Sequence, residues 1–280
     1  MTKSNRKRRK ERLPKGPPMA ETADRHTLYE IAVQTADLEC VFIERTFREQ
    51  RQRMPRYIKE DFAGTCNLAC EWVRLDPANR ALAVDLDAEV LAWGAEHHLA
   101  GLTAEQRQRL EVRKGNVLSE GGSGLDALIA FNFSYWVFRT RQQLGDYFRF
   151  TREQLAEDGI LFLDCFGGYE AQREMKERRE CEGFEYIWDQ ASFNPITHDY
   201  TCHIHFRLPD GSRIKEAFTY EWRLWSIPEI RELLAEAGYS RTLVYWQGWD
   251  DESEEASDEY EVVEDGDADP GWVCYIVALV

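Results

Sequence analysis

The sequence predicts an α/β fold in which a mostly parallel sheet has helices on both faces and carries an inserted antiparallel sheet. Three observations lead to this prediction. Apolar strands and helices alternate from residue 57 to residue 166, which is typical of βαβ units. Residues 184–223 instead alternate polar and apolar side chains in period two, which indicates antiparallel strands. The chain then returns to a helix, a strand and an apolar final strand at 272–280.

The stretch from residue 57 to residue 87 contains the first βαβ unit, around which the rest of the domain is organised. Residues 57–62 are a short extended run, and the small residues Ala-Gly-Thr follow it. Helical apolar spacing occupies residues 66–73, and the Asp-Pro-Ala-Asn sequence at 76–79 ends that helix because proline cannot continue it. A second apolar strand then leads to the acid Asp85.

The turn of this unit and the acid after its second strand suit a nucleoside. A helix N-terminus offers free backbone N–H groups, and Gly64 lets a ligand approach the backbone closely. Asp85 lies 21 residues after Gly64, and an acid about 20 residues beyond such a glycine can accept hydrogen bonds from ribose hydroxyls. A dinucleotide is disfavoured because Phe62 and Cys66 occupy two glycine positions of G-x-G-x-x-G, and the two acids before Phe62 would repel a diphosphate. The pattern favours a ligand with an adenosine and a cationic or zwitterionic end; the alternative is an ordinary α/β turn with a buried acid.

These residues resemble the first two motifs of the class I S-adenosylmethionine (SAM)-dependent methyltransferases. The first motif, an acid followed by small residues and G-T-G, is matched by residues 60–66, EDFAGTC, with one glycine where the family often has three. The second, a strand ending in V-D, is matched by residues 84–87, VDLD. The resemblance covers the chain from about residue 57 to its end, and it implies a Rossmann-like seven-stranded sheet with SAM as cofactor. The cofactor-binding residues that it implies are Glu60, Phe62, Ala63, Gly64, Asp85, Leu86, Asn116, Val117 and Asn132.

The same resemblance implies roles for several of these residues. We expect Glu60 to hydrogen-bond the methionine amino end, directly or through water. Ala63 and Gly64 are expected to allow a close approach to the backbone, and Asp85 is expected to hold the ribose. Asn116, which ends a later strand, is expected to lie near the adenine amine.

Asn132 and Tyr135 follow the buried strand 125–131, at the edge where open parallel sheets bind ligands. Their segment, N-F-S-Y, resembles the N-P-P-Y or D-P-P-Y segment of amino-group methyltransferases but lacks its prolines. Both residues are therefore candidates to orient a substrate, with Tyr135 as the substrate-binding residue. Equally, the segment could be a capped helix start with packed aromatic side chains.

The inserted antiparallel segment, residues 184–223, is expected to form a lid over the substrate site, as such insertions commonly do in the family. His203 and His205 share one face of a strand there, a pattern that could bind a metal. No third ligand stands at a metal-like spacing, so we predict no metal site. No catalytic residue is assigned. If the acceptor needs a base, the candidates, which the sequence does not rank, are His198, Tyr200, His203 and Glu221.

Charge is distributed very unevenly along the chain, whose net charge is −16. Residues 1–16 contain eight Lys or Arg and one Glu, whereas residues 250–269 contain twelve Asp or Glu and no basic residue. We predict a disordered basic tail at residues 1–24, a methyltransferase domain at residues 25–280 and an acidic loop at residues 250–270. The tail could bind RNA or the ribosome electrostatically, or it could be a solvated extension.

Cysteine usage and hydropathy indicate where in the cell the protein is located. Seven cysteines without paired spacing, no apolar signal region and no run of 18 apolar residues predict a cytoplasmic protein that does not contact a membrane. With the resemblance, they imply an enzyme that methylates an N or O atom of a small-molecule acceptor. Two alternatives remain: a methyltransferase acting on RNA or a ribosomal protein through the basic tail, and a non-catalytic SAM-binding protein that recruits a basic partner.

Overall fold

The structure, a computed structural model, describes residues 16–250 and 255–280. Residues 1–15, which hold most of the predicted basic tail, lie outside the described residues. The described end of that tail contains a short 3-10 turn at Met19–Glu21. No helix in this described part of the chain is both long enough and apolar enough to cross a bilayer.

Strands and helices alternate through the first half of the chain, and strands dominate the second. The strands are β1 (Tyr57–Asp61), β2 (Arg80–Asp85), β3 (Leu110–Lys114), β4 (Leu125–Ala130), β5 (Leu155–Gly167), β6 (Met175–Cys181), β7 (Phe184–Phe193), β8 (Asp199–Arg207), β9 (Arg213–Arg223), β10 (Arg241–Asp250), β11 (Glu255–Val262) and β12 (Trp272–Leu279). The helices are α1 (Arg25–Val33), α2 (Ala36–Arg51), α3 (Asn67–Leu75), α4 (Ala88–His97), α5 (Ala104–Gln108), α6 (Arg141–Gln154) and α7 (Ile227–Glu236).

The larger sheet has eight strands in the order β11-β10-β12-β5-β4-β1-β2-β3. Strands β5, β4, β1, β2 and β3 are parallel, and β12 lies antiparallel between β5 and β10. The strand order reverses between β1 and β4. Because crossover connections are right-handed, this reversal places α3 and α6 on opposite faces of the sheet. The Rossmann-like, mostly parallel fold class is confirmed.

Two segments form strands where the sequence predicts otherwise, and both are edge strands. Residues 169–181 are predicted as a charged helix, but Met175–Cys181 form β6, the edge of a second sheet with the order β6-β7-β8-β9. The acidic run is predicted as a loop, but Glu255–Val262 form β11, an eighth strand that pairs antiparallel with β10. An edge strand pairs on one side only, so charged side chains can remain in water while half of the backbone groups are paired.

The helical region before β1 is interrupted. The sequence predicts one helical segment over residues 25–54, whereas α1 and α2 are separated by Gln34 and Thr35. The first turn of α2 carries Asp37 and Glu39, and acids at this position interact favourably with the helix dipole. A separate helix therefore begins at Ala36, and this start places Glu39 near the sheet.

The chain divides into two compact units. The first contains the described residues up to Gln34, together with Lys176–Asp189 and His203–Thr219. The second contains Thr35–Met175, Gln190–Cys202 and Tyr220–Val280. All of the predicted cofactor-binding residues belong to the second unit. A hydrophobic core cluster of this unit joins one face of the eight-stranded sheet to α2 and α3, with Ile43, Phe47 and Trp72 fully buried.

Candidate functional site

The turn between β1 and α3 has an unusual backbone. Phe62, Gly64 and Cys66 all have left-handed φ angles, of 57°, 51° and 60°. This conformation suits glycine but costs other residues about 1–3 kcal/mol each. The turn is fixed in part by the Ala63 backbone N–H, which donates to the Val84 carbonyl at 3.0 Å. The structure therefore holds this turn in a strained shape beside the end of β2.

Asp85 connects the end of β2 to this turn. Its Oδ2 accepts a hydrogen bond from the Gly64 backbone N–H at 2.7 Å, and its Oδ1 accepts one from Asp87 N–H at 2.8 Å. Gly64 and Asp85, the predicted ribose-binding acid, are thus joined by a direct hydrogen bond. The next residue, Leu86, has a side chain that is 68% exposed, although it is apolar. The junction therefore presents a carboxylate and an apolar side chain next to each other.

Glu60 and Asp61 point to opposite faces of the sheet, because successive strand residues alternate. Glu60 Oε2 accepts a hydrogen bond from the Ala69 backbone N–H at 3.0 Å, in the first turn of α3. Burial raises the pKa of Glu60 well above its usual value. Asp61 is paired within 2.7 Å of the buried Lys59 ammonium and accepts a hydrogen bond from Tyr147. Of the two acids, only Glu60 lies on the side of α3.

Gly94 is a residue of this site that sequence reasoning missed. It lies within α4, and a Cβ atom at this position would collide with the backbone carbonyl of Thr65, inside the β1–α3 turn. Glycine here lets α4 pack directly against the turn. The signal available in the sequence is a glycine in the interior of a helix, where it otherwise costs stability.

Asn116 and Val117 lie beyond the end of β3, in a turn next to the end of β2. The Gly115 backbone N–H donates to the Asp85 carbonyl at 2.9 Å. Asn116 is exposed and its Oδ1 accepts a hydrogen bond from the Leu118 N–H at 2.9 Å, while Val117 is buried. The strand is shorter than predicted, but both residues lie on the same edge of the sheet as Asp85.

The junction after β4 is held by Asp164, which sequence reasoning also missed. Asn132 and Phe133 both have left-handed φ angles, of 57° and 55°. Their backbone N–H groups donate to the two carboxylate oxygens of Asp164, three residues before the end of β5, over 2.6 and 2.8 Å. Burial raises the pKa of Asp164 to about 7, although these hydrogen bonds lower it in part. In the sequence, Asp164 ends the segment LAEDGILFLD, which resembles a methyltransferase segment that also ends in Asp. The contact with Asn132 was missed because nothing along the chain relates the two residues.

Tyr135 lies in the core. Its side chain is fully buried, and its hydroxyl donates to the Asp164 carbonyl at 2.7 Å. The neighbouring Ser134 hydroxyl donates to the Phe131 carbonyl, and Phe133 packs edge-on against Phe166. These contacts favour the packed-aromatic alternative for residues 132–135 over a direct contact between Tyr135 and a substrate.

The candidate bases are distributed over both units. In the first unit, His203 Nδ1 lies 2.9 Å from the Thr219 hydroxyl, and His205 Nδ1 accepts a hydrogen bond from the Glu216 N–H. In the second, Tyr200 is 1% exposed, His198 Nδ1 lies 3.2 Å from the Leu224 carbonyl, and Glu221 accepts a hydrogen bond from Thr201. Among the residues that the structure describes, no group of three or more His, Cys, Asp or Glu side chains is arranged to hold a metal ion.

Comparison with known proteins gives structural but not sequence relatives. No protein-family model and no curated protein matches this sequence. A SAM-dependent methyltransferase from Clostridium acetobutylicum superposes with a TM-score of 0.64 at 16% identity, over 90% of this chain and 96% of that one. An amino pentose methyltransferase from Micromonospora echinaspora with bound SAM gives 0.62 at 14% identity, over 91% and 95%.

A sugar N-methyltransferase from Streptoalloteichus matches over 100% of this chain and 98% of its own, with a TM-score of 0.59 at 16% identity. At such low identities, the likeness concerns the fold alone. The chain therefore has the fold of these methyltransferases, with a carboxylate at each of the two strand junctions where a ligand of such a fold would bind.

Proposed function

We propose that this protein is a SAM-dependent methyltransferase that transfers a methyl group to an N or O atom of a small-molecule acceptor. The proposal depends on one observation. The Asp85 carboxylate accepts a hydrogen bond from the Gly64 backbone N–H, and the exposed side chain of Leu86 lies next to it in the chain. This arrangement offers a ribose and an adenine the two kinds of contact that they need, a carboxylate for hydroxyls and an apolar side chain for a flat ring.

The residues of the turn fit an adenosyl sulfonium. A Cβ atom added at Gly64 would have only Val90 within 4 Å, at 3.8 Å, so the outer surface of the turn is open to a ligand. The carboxyls Glu60 and Asp85 at the junction can accept hydrogen bonds from an ammonium group and from hydroxyls, and they offer no positive charge to a phosphate. These acceptor groups therefore match a cationic nucleoside better than a dinucleotide.

In this proposal, the main task of the chain is to position the reactants. When bound, SAM supplies a methyl group on a positively charged sulfur, which an uncharged nucleophile can displace. Asp85 would hold the ribose, Glu60 the methionine amino end, and Leu86, Asn116 and Val117 the adenine. Alignment of two reactants can lower a barrier by roughly 7–11 kcal/mol, so a catalytic triad is not required.

A small-molecule acceptor is supported by the structural neighbours, two of which are described as acting on an amino pentose and a sugar nitrogen. The RNA alternative depends on basic residues 1–15, which lie outside the described residues, and no described feature favours it. We also propose a cytoplasmic location, because all seven cysteines are free thiols, which is usual in a reducing compartment.

Ligand-induced thermal stabilisation tests the cofactor assignment. S-adenosylhomocysteine at about 100 times its Kd should stabilise the protein by about 2.7 kcal/mol. In a chain of this length, such a change corresponds to a rise in Tm of roughly 5–10 °C. NAD⁺ at the same concentration is the control and should leave Tm unchanged. The proposal fails if neither SAM nor S-adenosylhomocysteine raises Tm.

A further inference from the structure

Glu39 is a buried acid that the proposed function does not use. It lies on α2 one turn before Phe42 and Ile43, and residues three and four apart share a helix face. All three side chains are buried against the second unit's core, Glu39 with only 8% of its surface exposed. A glutamate on this face, among apolar neighbours, would cost stability unless something compensates it.

The packing of α2 places Glu39 beside Asp164. Phe42 packs 6.1 Å from Phe162 of β5 and stacks 4.2 Å from Tyr275 of β12, the strand partner of Asp164. Phe162 and Asp164 are two residues apart and lie on the same face of β5. Glu39, one helical turn from Phe42, therefore lies over the end of β5, where Asp164 raises the pKa of Glu39 and Glu39 in turn raises the pKa of Glu60.

The Glu39 carboxyl has no partner. Within the part of the chain that the structure describes, it makes no hydrogen bond or ion pair, in contrast to Glu60 and Asp164, which accept backbone N–H groups. Burial, and then repulsion by Asp164 and Asp37, raises the pKa of Glu39 to about 8. The Glu39 oxygens are not among the fully enclosed polar atoms that lack a partner, so water reaches them, and a bound ligand can take the place of that water.

The groups that interact electrostatically with Glu39 are the acids Asp37 on α2, Glu60 on β1 and Asp164 on β5, together with the Cys40 thiol on α2. Glu60 and Asp164 lie toward the carboxyl ends of β1 and β5, next to the space beyond those ends. A positive charge would be favoured in this space, and a neutral hydroxyl would gain much less.

We propose that Glu39 binds the protonated amine of the methyl acceptor and removes its proton, so that the substrate class is a primary or secondary amine. This inference rests on the proposed function, since it places the amine next to the methyl donor. It goes further than the proposed function, because it specifies nitrogen rather than oxygen as the methylated atom. It also names Glu39 as the residue that makes this nitrogen reactive.

The step that Glu39 performs is a single proton transfer. An N–H bond of the ammonium group breaks, its electron pair stays on nitrogen as a lone pair, and the proton forms an O–H bond with the carboxylate. The lone pair is what methyl transfer to nitrogen requires. After transfer, the nitrogen again carries one positive charge, and the proton on Glu39 leaves to solvent when the product departs, so one proton is released per methyl group.

Two nucleoside probes test this inference in the intact protein. Sinefungin carries an amine in the place of the transferable methyl group, and S-adenosylhomocysteine lacks that amine but is otherwise closely similar. By calorimetry, the wild-type protein should bind sinefungin more tightly, and Glu39→Gln should reduce sinefungin affinity by about tenfold or more, as expected for loss of a buried charge partner. S-adenosylhomocysteine affinity should change less than twofold. Glu49→Gln, on the exposed part of the same helix, is the matched control and should change neither.

The pH dependence gives a second readout. Because the pKa of Glu39 is near 8 in the free protein, sinefungin must displace a proton at pH 7. Its affinity should therefore rise between pH 6 and pH 8 while its amine stays protonated, and calorimetry in buffers of different ionisation enthalpy should show proton release. Both effects should disappear in Glu39→Gln.

Each outcome has one meaning. If Glu39→Gln leaves the ratio of the two affinities unchanged, the inference is wrong and the proposed function stands. If the substitution weakens both probes equally, Glu39 serves the methionine end that they share, which also overturns the inference. If the wild-type protein binds neither probe, the proposed function itself fails.

Discussion

The junctions after β1 and after β4 are built in the same way but in different surroundings. In each, a carboxylate at the end of a neighbouring strand accepts backbone N–H groups from a turn with left-handed residues: Asp85 for Gly64, and Asp164 for Asn132 and Phe133. Asp85 is partly exposed beside small residues, whereas Asp164 is 7% exposed among aromatic side chains. The exposed carboxylate can also reach a ligand, and the buried one mainly holds the chain. The same hydrogen-bond pattern therefore leaves a carboxylate within reach of solvent at one junction and encloses it at the other.

The largest expected effect comes from removing the buried carboxylate. Asp164→Ala leaves two buried N–H groups without acceptors, which should cost about 2–5 kcal/mol in the free energy of unfolding. Urea denaturation measures this loss, and Asp164→Asn, which keeps one acceptor oxygen, should lose less. An Asp164→Ala variant as stable as the wild type would show that the two junctions do not differ in this way.

The loss of stability caused by Asp164→Ala should depend on pH. The pKa of Asp164 is raised from 3.8 to about 7 in the folded chain. Its contribution to stability is therefore complete below about pH 4 and is lost as the pH rises through 7. The penalty of Asp164→Ala should be larger at pH 5.5 than at pH 8.5.

The difference between the two junctions also explains what the sequence could predict. Asp85 was found because the βαβ unit fixes how far an acid lies from its glycine, so that a spacing along the chain reports a contact. Asp164 contacts residues 32 positions earlier through two neighbouring strands, and no local pattern encodes that pairing. Glu39 was missed for the same reason, because helical periodicity alone does not show what faces a polar residue on an apolar stripe.

The mostly parallel core was predicted correctly, because long apolar runs separated by helices have few alternative arrangements. The two edge strands, β6 and β11, were not. At least half of the residues in each strand are charged, and composition predicts helix or loop for such segments. Pairing with a neighbouring strand overrode that local preference.

The second-largest expected effect is a loss of ligand affinity when the carboxylate of the exposed junction, Asp85, is removed. Asp85→Ala should weaken S-adenosylhomocysteine binding by about 2–3 kcal/mol, which is roughly 30–150-fold, since it removes both the ribose contact and the bond that positions Gly64. Its unfolding free energy should fall by only about 1 kcal/mol, because water can replace a partly exposed acceptor. Calorimetry and urea denaturation of the same preparation measure the two quantities. Nearly unchanged affinity would remove Asp85 from the proposed cofactor site.

The smallest expected effect concerns the helix that supports the exposed junction. Gly94→Ala places a methyl group where the Thr65 carbonyl stands, and the backbone on both sides has to move apart. Overpacking of this kind typically costs about 1–3 kcal/mol. Gly101→Ala is the matched control, because a Cβ atom there has only the end of the Arg74 side chain within 4 Å, at 3.8 Å.

Since the Thr65 carbonyl belongs to the turn that Asp85 holds, Gly94→Ala should also weaken S-adenosylhomocysteine binding, whereas Gly101→Ala should not. A loss of stability without a loss of affinity would mean that α4 supports the fold but not the shape of the turn. The Asp85 bond would then be sufficient to position Gly64 by itself, and the exposed junction would depend on one carboxylate as fully as the buried junction depends on Asp164.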